Sequence, residues 1–87
     1  MKLIRIGFGG LVSADRIVAM VEPDSAPIKR LVSDAREQGI LIDASYGRKT
    51  KTVLITDSGY VILSALAGDV LAERVSGKDD GREDEEL

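Results

Sequence analysis

The sequence contains no cysteine and no histidine, and it has only three aromatic residues. Without cysteine the chain cannot form disulfides, and without either residue type it lacks the usual ligands of zinc, copper and haem iron. The core must therefore be built from Ile, Leu, Val and Ala. A chain of 87 residues makes one domain. Domains of this size bury only about 60% of their unfolded surface, so self-association is the source of extra stability that remains.

Long apolar runs are also missing. The longest, such as Val61–Leu63, fall far short of the about 20 residues that span a membrane. The N-terminal segment is interrupted by Arg5 and three glycines, and it lacks the continuous apolar core and cleavage site of a signal peptide. We therefore expect a cytoplasmic protein with no membrane partner.

The net charge of −3 hides an uneven distribution along the chain. Residues 1–76 carry ten basic and nine acidic residues, whereas residues 77–87 carry two basic and six acidic ones. The terminal segment has no apolar residue except Leu87, so it cannot bury surface, and we expect a disordered acidic tail after a single domain over 1–76. Its simplest role is to keep the protein soluble. A second hypothesis is that it competes with nucleic acid for basic residues.

The clearest helix signal covers residues 25–38. Asp24 or Ser25 can cap its first turn, where Pro27 is tolerated because the first amides have no partner within the helix. Four apolar residues then recur at helical spacing and form one stripe: Ile28, Leu31, Val32 and Ala35. Gly39 follows as a left-handed cap that ends the helix.

Five strands are predicted from short β-branched and apolar segments, at residues 2–8, 16–22, 40–44, 51–56 and 60–64. Asp57-Ser58-Gly59 has the residue types of a hairpin turn, and 46–50 forms a connection of hairpin length. A short final helix is expected at about 68–75. The fold class is therefore α+β, with a small mixed sheet of about five strands, one main helix and a short C-terminal helix.

Two of these strands are apolar on both faces, in the runs Val53–Ile55 and Val61–Leu63. A strand that is covered on one face should alternate apolar and polar residues. One helix and one short helix leave little material to cover two faces, so part of this surface is expected to be an interface with another subunit or partner.

The enzyme alternatives are weak in this chain. Asp43 and Ser45 share one face of a strand and lie beside Tyr46, but no histidine is present to activate the serine, so we interpret them as structural polar groups. Gly7–Gly10 resembles the start of a dinucleotide-binding fingerprint, yet Val12 stands where the third glycine is needed and no long helix follows. A tight turn is the better interpretation, and no cofactor, metal or small-molecule ligand is expected.

A basic segment is the strongest candidate for a binding site. Arg48, Lys49 and Lys51 fall within four positions after Gly47, together with the hydroxyl of Thr50. Such side chains and free backbone amides neutralise and hydrogen-bond phosphate oxygens. Taken alone, this signal is weak, because a basic loop is more often only a solvated turn.

Several blocks of the sequence strongly resemble the RemA family of small bacterial extracellular-matrix regulators. The resemblance runs without a gap from about residue 4 to 66, and its most specific parts are the segments SAPIKR and LIDASYGR. The other matching blocks are Ser13–Arg16, Asp34–Arg36, Arg48–Thr50, Ile55–Ser58 and Val61–Ser64.

The resemblance implies a transcriptional regulator, not an enzyme, that binds double-stranded DNA and assembles into a closed ring of identical subunits. The DNA-contacting arginines of the family match Arg16 and the pair Arg48-Lys49, and Lys51 adds a further charge. Family members often carry two arginines at that pair. Lys49 keeps the charge but lacks the planar fork needed for a bidentate phosphate contact.

We therefore expect a nucleoid-associated, ring-forming DNA-binding regulator of matrix and biofilm genes. The alternative is a protein-interaction scaffold without nucleic-acid binding, which the two-sided apolar strands would also suit.

Overall fold

The computed structural model describes residues 2–77, which form six strands, two helices and one short 3₁₀ turn. The strands are β1 (Leu3–Gly7), β2 (Gly10–Ser13), β3 (Ile17–Val21), β4 (Leu41–Asp43), β5 (Thr52–Thr56) and β6 (Val61–Ser64). The helices are α1 (Ala26–Gln38) and α2 (Gly68–Ser76), and the 3₁₀ turn covers Ala14–Arg16. The α+β class predicted from the sequence is confirmed.

The strands form two sheets rather than one. β1 and β2 make a two-stranded antiparallel hairpin, and the other four strands form a sheet of order β3-β5-β6-β4. β5 pairs antiparallel with both β3 and β6, whereas β4 pairs parallel with β6. A mixed sheet is therefore confirmed, but the single sheet of about five strands is wrong.

One strand, Gly10–Ser13, was not predicted from the sequence. The sequence predicted strands at 2–8 and 16–22 and none between them, but Gly10–Ser13 is a strand of its own and Ala14–Arg16 is a 3₁₀ turn. The turn interpretation of Gly7–Gly10 is confirmed, since Phe8 and Gly9 join β1 to β2. Gly9 belongs to the turn, whereas Gly10 is the first residue of β2, the second strand of the hairpin. Glycine is typical of turns, so the start of a strand at Gly10 was not recognised in the sequence.

Helix α1 forms where its end signals predicted. The Oγ of Ser25 accepts a hydrogen bond from the backbone N–H of Ile28 at 3.3 Å, and a proline lies in the first turn. Gly39 adopts a left-handed φ of 75°, and its N–H reaches the last carbonyls of the helix. The apolar stripe of α1 packs on one face of the large sheet, against Val53, Val61 and Leu63.

The opposite face of the large sheet is covered by the β1–β2 hairpin and α2. Ile4 and Ile6 from β1 and Leu71 from α2 pack there against Leu54 and Ile62 of the sheet. Both faces of β5 and β6 are thus buried within one chain. The expectation that their two-sided apolar character marks a partner surface is wrong, because the N-terminal hairpin supplies the missing layer.

The hairpin is also fastened by polar groups. The fully buried Ser64 donates from its Oγ to the carbonyl oxygen of Ile6, and it accepts from the N–H of Leu66 at 3.1 Å. The guanidinium of Arg74 in α2, itself buried, donates to the carbonyl oxygen of Arg5 at 2.9 Å. The acidic tail predicted for 77–87 lies, from residue 78 onward, outside the described residues.

Candidate nucleic-acid interface

The basic segment lies on the loop that connects β4 to β5 and passes over the end of β6. Residues 44–51 leave β4 and enter β5, and these two strands flank β6 in the sheet. The N–H of Ala44 donates to the carbonyl oxygen of Leu63 and that of Lys51 donates to Ser64, each at 2.9 Å. The loop is therefore attached at both ends to β6. It is not the hairpin connection that its length suggested, because β4 and β5 are not neighbours.

The first turn of the loop is fixed by Asp43 and Ser45. Asp43 accepts hydrogen bonds at one carboxylate oxygen from the hydroxyl of Ser45 and from its backbone N–H, the latter at 3.0 Å. The hydroxyl bond, then the amide bond and more weakly the charge of Arg36 hold the pKa of Asp43 below its ordinary value, against a small effect of burial. Such a carboxylate is a weak base and Ser45 is buried, so the pair suits a structural role.

Arg48 extends from this loop toward the N-terminal hairpin. Its guanidinium carbon lies 4.1 Å from the centroid of the Phe8 ring, within the range of a cation–π contact. Phe8 lies at the tip of the β1–β2 hairpin and is half exposed. Phe8 was not among the site residues predicted from the sequence. The available signal was an aromatic residue enclosed by glycines in a chain with few aromatics.

Lys49 and Lys51 line a shallow groove elsewhere on the loop. The groove is bounded by the β3–α1 connection and the start of α2, which add Glu22, Asp24 and Asp69 to its walls. Both lysines are exposed, and within residues 2–77 neither makes a hydrogen bond or ion pair through its side chain. The three carboxylates reduce the positive potential of the groove, and this acidic wall was not anticipated from the sequence.

Arg16 lies apart from the loop. Its carbonyl oxygen accepts from the N–H of Asp57 at 2.9 Å, at the end of β5 opposite Lys51. At about 3.3 Å per strand residue, the backbones of Arg16 and Lys51 are about 20 Å apart. The Arg16 guanidinium also forms an exposed ion pair with Asp57, at 3.3 Å. The four predicted residues therefore occupy three separate places on the surface of the chain.

The chain matches the family model described as RemA-like, extracellular matrix regulatory protein A-like, over residues 3–75. It belongs to the RemA-like family. It is 60% identical over 81 residues to a protein of Clostridium acetobutylicum, covering 93% of this chain and 88% of that relative. It is 55% identical over 87 residues to one of Alkaliphilus oremlandii, covering 100% and 94%. Both relatives carry the provisional name of regulatory protein.

Family membership and the names of these relatives point to a regulatory protein. The resemblance to RemA proteins found in the sequence is thereby confirmed. No helix within residues 2–77 is long and apolar enough to cross a membrane. In the same range, no cluster of acidic side chains has the arrangement of a metal site.

Proposed function

We propose that this RemA-like protein is a non-enzymatic, cytoplasmic transcriptional regulator that holds the phosphates of double-stranded DNA as a homo-oligomer. The observation that carries the proposal is the loop 44–51, which is attached at both ends to β6 and leaves the side chains of Arg48, Lys49 and Lys51 exposed. Exposed cations on a fixed backbone are suited to phosphate contacts, which position a protein on DNA without reading sequence. The genes of extracellular-matrix and biofilm formation are its proposed targets.

Self-association is part of this proposal because one subunit offers too few contacts. Arg16, Arg48, Lys49 and Lys51 can engage at most about four phosphates, and acidic side chains lie near three of these cations. A ring of subunits repeats the contacts, and linked weak sites bind far more tightly than a single one. Large apolar side chains left exposed at the sheet edges, such as Val18 on β3 and Ile42 on β4, support contacts between copies.

The structure removes the observation that motivated the scaffold alternative. That alternative depended on two-sided apolar strands, and both faces of those strands are covered within the chain.

A salt titration tests the proposal. Log affinity falls with log salt at about −0.9 per phosphate engaged, so contacts from more than one subunit require a slope of about −4 or steeper. We expect this slope for a promoter fragment measured by fluorescence anisotropy, together with a sedimentation mass well above the 9.3 kDa of one chain. A monomer at micromolar concentration, or an affinity that hardly changes with salt, would contradict the mechanism.

The ion pair of Arg16 leads to a separate prediction. Asp57 competes with a phosphate for the same guanidinium, so Asp57→Asn is expected to tighten DNA binding by about threefold at low salt. The gain should vanish at high salt, because exposed charges are then screened. Asp34→Asn on α1 makes the same charge change away from Arg16 and serves as the control. Weaker binding by Asp57→Asn would mean that the carboxylate orients Arg16 rather than competing for it.

A further inference from the structure

Two of the three aromatic residues of the chain lie on neighbouring segments at one exposed place, with the Tyr46 hydroxyl close to Gly9, the residue after Phe8. Phe8 lies at the tip of the β1–β2 hairpin and Tyr46 lies in the loop 44–51, and the two residues are 51% and 59% exposed. The hairpin and the loop are in contact, since a Cβ at Gly9 would lie 3.5 Å from the Tyr46 hydroxyl. Arg48 belongs to the same cluster through its contact with the Phe8 ring.

The core does not need these rings. Its fully buried large side chains are aliphatic, among them Ile4, Leu54 and Leu71, so Phe8 and Tyr46 are left outside by a core that is complete without them. Half-exposed aromatic rings are a large apolar surface to leave in water, and such patches mark binding sites when they cluster.

The backbone at Tyr46 adds an independent indication. Its φ is 52°, and it is the one residue other than glycine with a positive φ among residues 2–77. Residues with side chains rarely occupy this region, and strained backbone of this kind is concentrated at functional sites. The loop thus holds Tyr46 in an unfavourable conformation while leaving its ring exposed to solvent.

The combination of groups fits one class of ligand. Aromatic faces stack on nucleobases whatever their sequence, and an adjacent arginine engages the phosphate that follows the stacked base. Phe8 holds the guanidinium of Arg48 from one side, which leaves its N–H groups free to reach phosphate oxygens. Stacking requires a base whose face is accessible, which a regular duplex does not offer.

We propose that Phe8, Tyr46 and Arg48 form a stacking site for unpaired nucleobases, so that the protein binds single-stranded nucleic acid as well as duplex DNA. Tyr46 supplies the stacking face, and Phe8 is the positioning residue for Arg48. This rests on the proposed nucleic-acid function and adds base contacts to its phosphate contacts.

The first test compares a strand of thymidines with an abasic strand of equal length, which has the same phosphates and no bases. The full chain is expected to bind the thymidine strand about 10-fold more tightly. Tyr46→Leu should remove this preference, whereas Tyr46→Phe should keep it. Tyr60→Leu alters the half-exposed aromatic residue at the β5–β6 turn and is the matched control, expected to bind like the original protein.

The second test observes the ring directly. The chain has two tyrosines and no tryptophan, so Tyr60→Phe leaves Tyr46 as the only tyrosine emitter. After correction for absorption by the bases, its fluorescence should be quenched by the thymidine strand and not by the abasic strand. The two strands carry the same phosphates, so quenching by the thymidine strand alone reports contact between the Tyr46 ring and a base.

The outcomes separate this inference from the function on which it rests. Equal affinity for the two strands without quenching would overturn the stacking site while leaving phosphate binding intact. Absence of binding to either strand and to duplex DNA at low salt would overturn both. A loss of oligomer mass in Tyr46→Leu would assign the aromatic cluster to a contact between copies and would also overturn the stacking site.

Discussion

Reversing two charges in Arg48→Glu/Lys49→Glu is expected to weaken binding to duplex DNA by at least about 100-fold at moderate salt. Each subunit loses two phosphate contacts and gains two negative charges, and the change is repeated in every subunit of the oligomer. The salt slope should become shallower by about one per lost contact. Fluorescence anisotropy with a labelled promoter fragment across a salt series measures both quantities.

The matched control is Lys29→Glu/Arg30→Glu. It makes the same change in net charge at two adjacent exposed residues, but on helix α1 and not on the loop. We expect its affinity to fall by less than about threefold, because these charges lie outside the loop that is proposed to contact phosphates and, being exposed, are screened by salt. Equal losses in the two double variants would mean that overall charge, and not the loop, determines binding.

Leu54→Ala should have the largest effect on folding. Leu54 lies in β5, one of the two inner strands of the large sheet, is fully buried, and packs in the cluster that joins this sheet to the hairpin and α2. Leucine-to-alanine changes at such sites cost about 3 kcal/mol through lost burial and the cavity left behind. For a domain of this size the Tm should fall by on the order of 15 °C. Thermal denaturation followed by circular dichroism measures it.

Leu11→Ala is the same chemical change on the exposed side of β2, where the leucine is 54% exposed. Its free energy of unfolding should stay within about 0.5 kcal/mol of the original protein. Both variants must be compared at one protein concentration, because self-association would stabilise the folded state by mass action. Similar Tm values for the two would show that the cluster around Leu54 is not the main source of stability.

Helix α1 was predictable because all of its signals are local. Ser25, the proline of the first turn and Gly39 lie within one helix length, and each acts on backbone groups close to it in sequence. The hairpin β5–β6 was predictable for the same reason, since its turn residues lie between the two strands that they join.

The order of the strands was not predictable from local signals. β4 lies beside β6 and not beside β5. This arrangement depends on how apolar faces that are distant in sequence pack together. Strand β2 was missed because Gly10, which opens it, looked like a breaker. Because β2 was not predicted, the β1–β2 hairpin that covers one face of β5 and β6 was not recognised. That apolar face was therefore assigned to a partner.

In the candidate site, too, residues adjacent in sequence were predicted and contacts between distant residues were not. The basic residues of the loop are adjacent in sequence and were identified there. The residues that contact the predicted cations are distant from them in sequence: Phe8 contacts Arg48 from 40 positions away, and Asp57 pairs with Arg16 across 41. Spacing along the chain carries no information on such contacts, so the aromatic and acidic surroundings of the cations emerged only from the structure.

The attachment of residues 44–51 to β6 at both ends separates the conformation of the loop from the pairing of the strands. Because the N–H groups of Ala44 and Lys51 are held by the strand, the residues between 46 and 50 can vary without altering the register of the sheet. Insertions in surface loops add little to the free energy of closing them. Changes within residues 46–50 should therefore act on the surface of the loop and leave the fold intact, because β6 holds both ends of the loop in place.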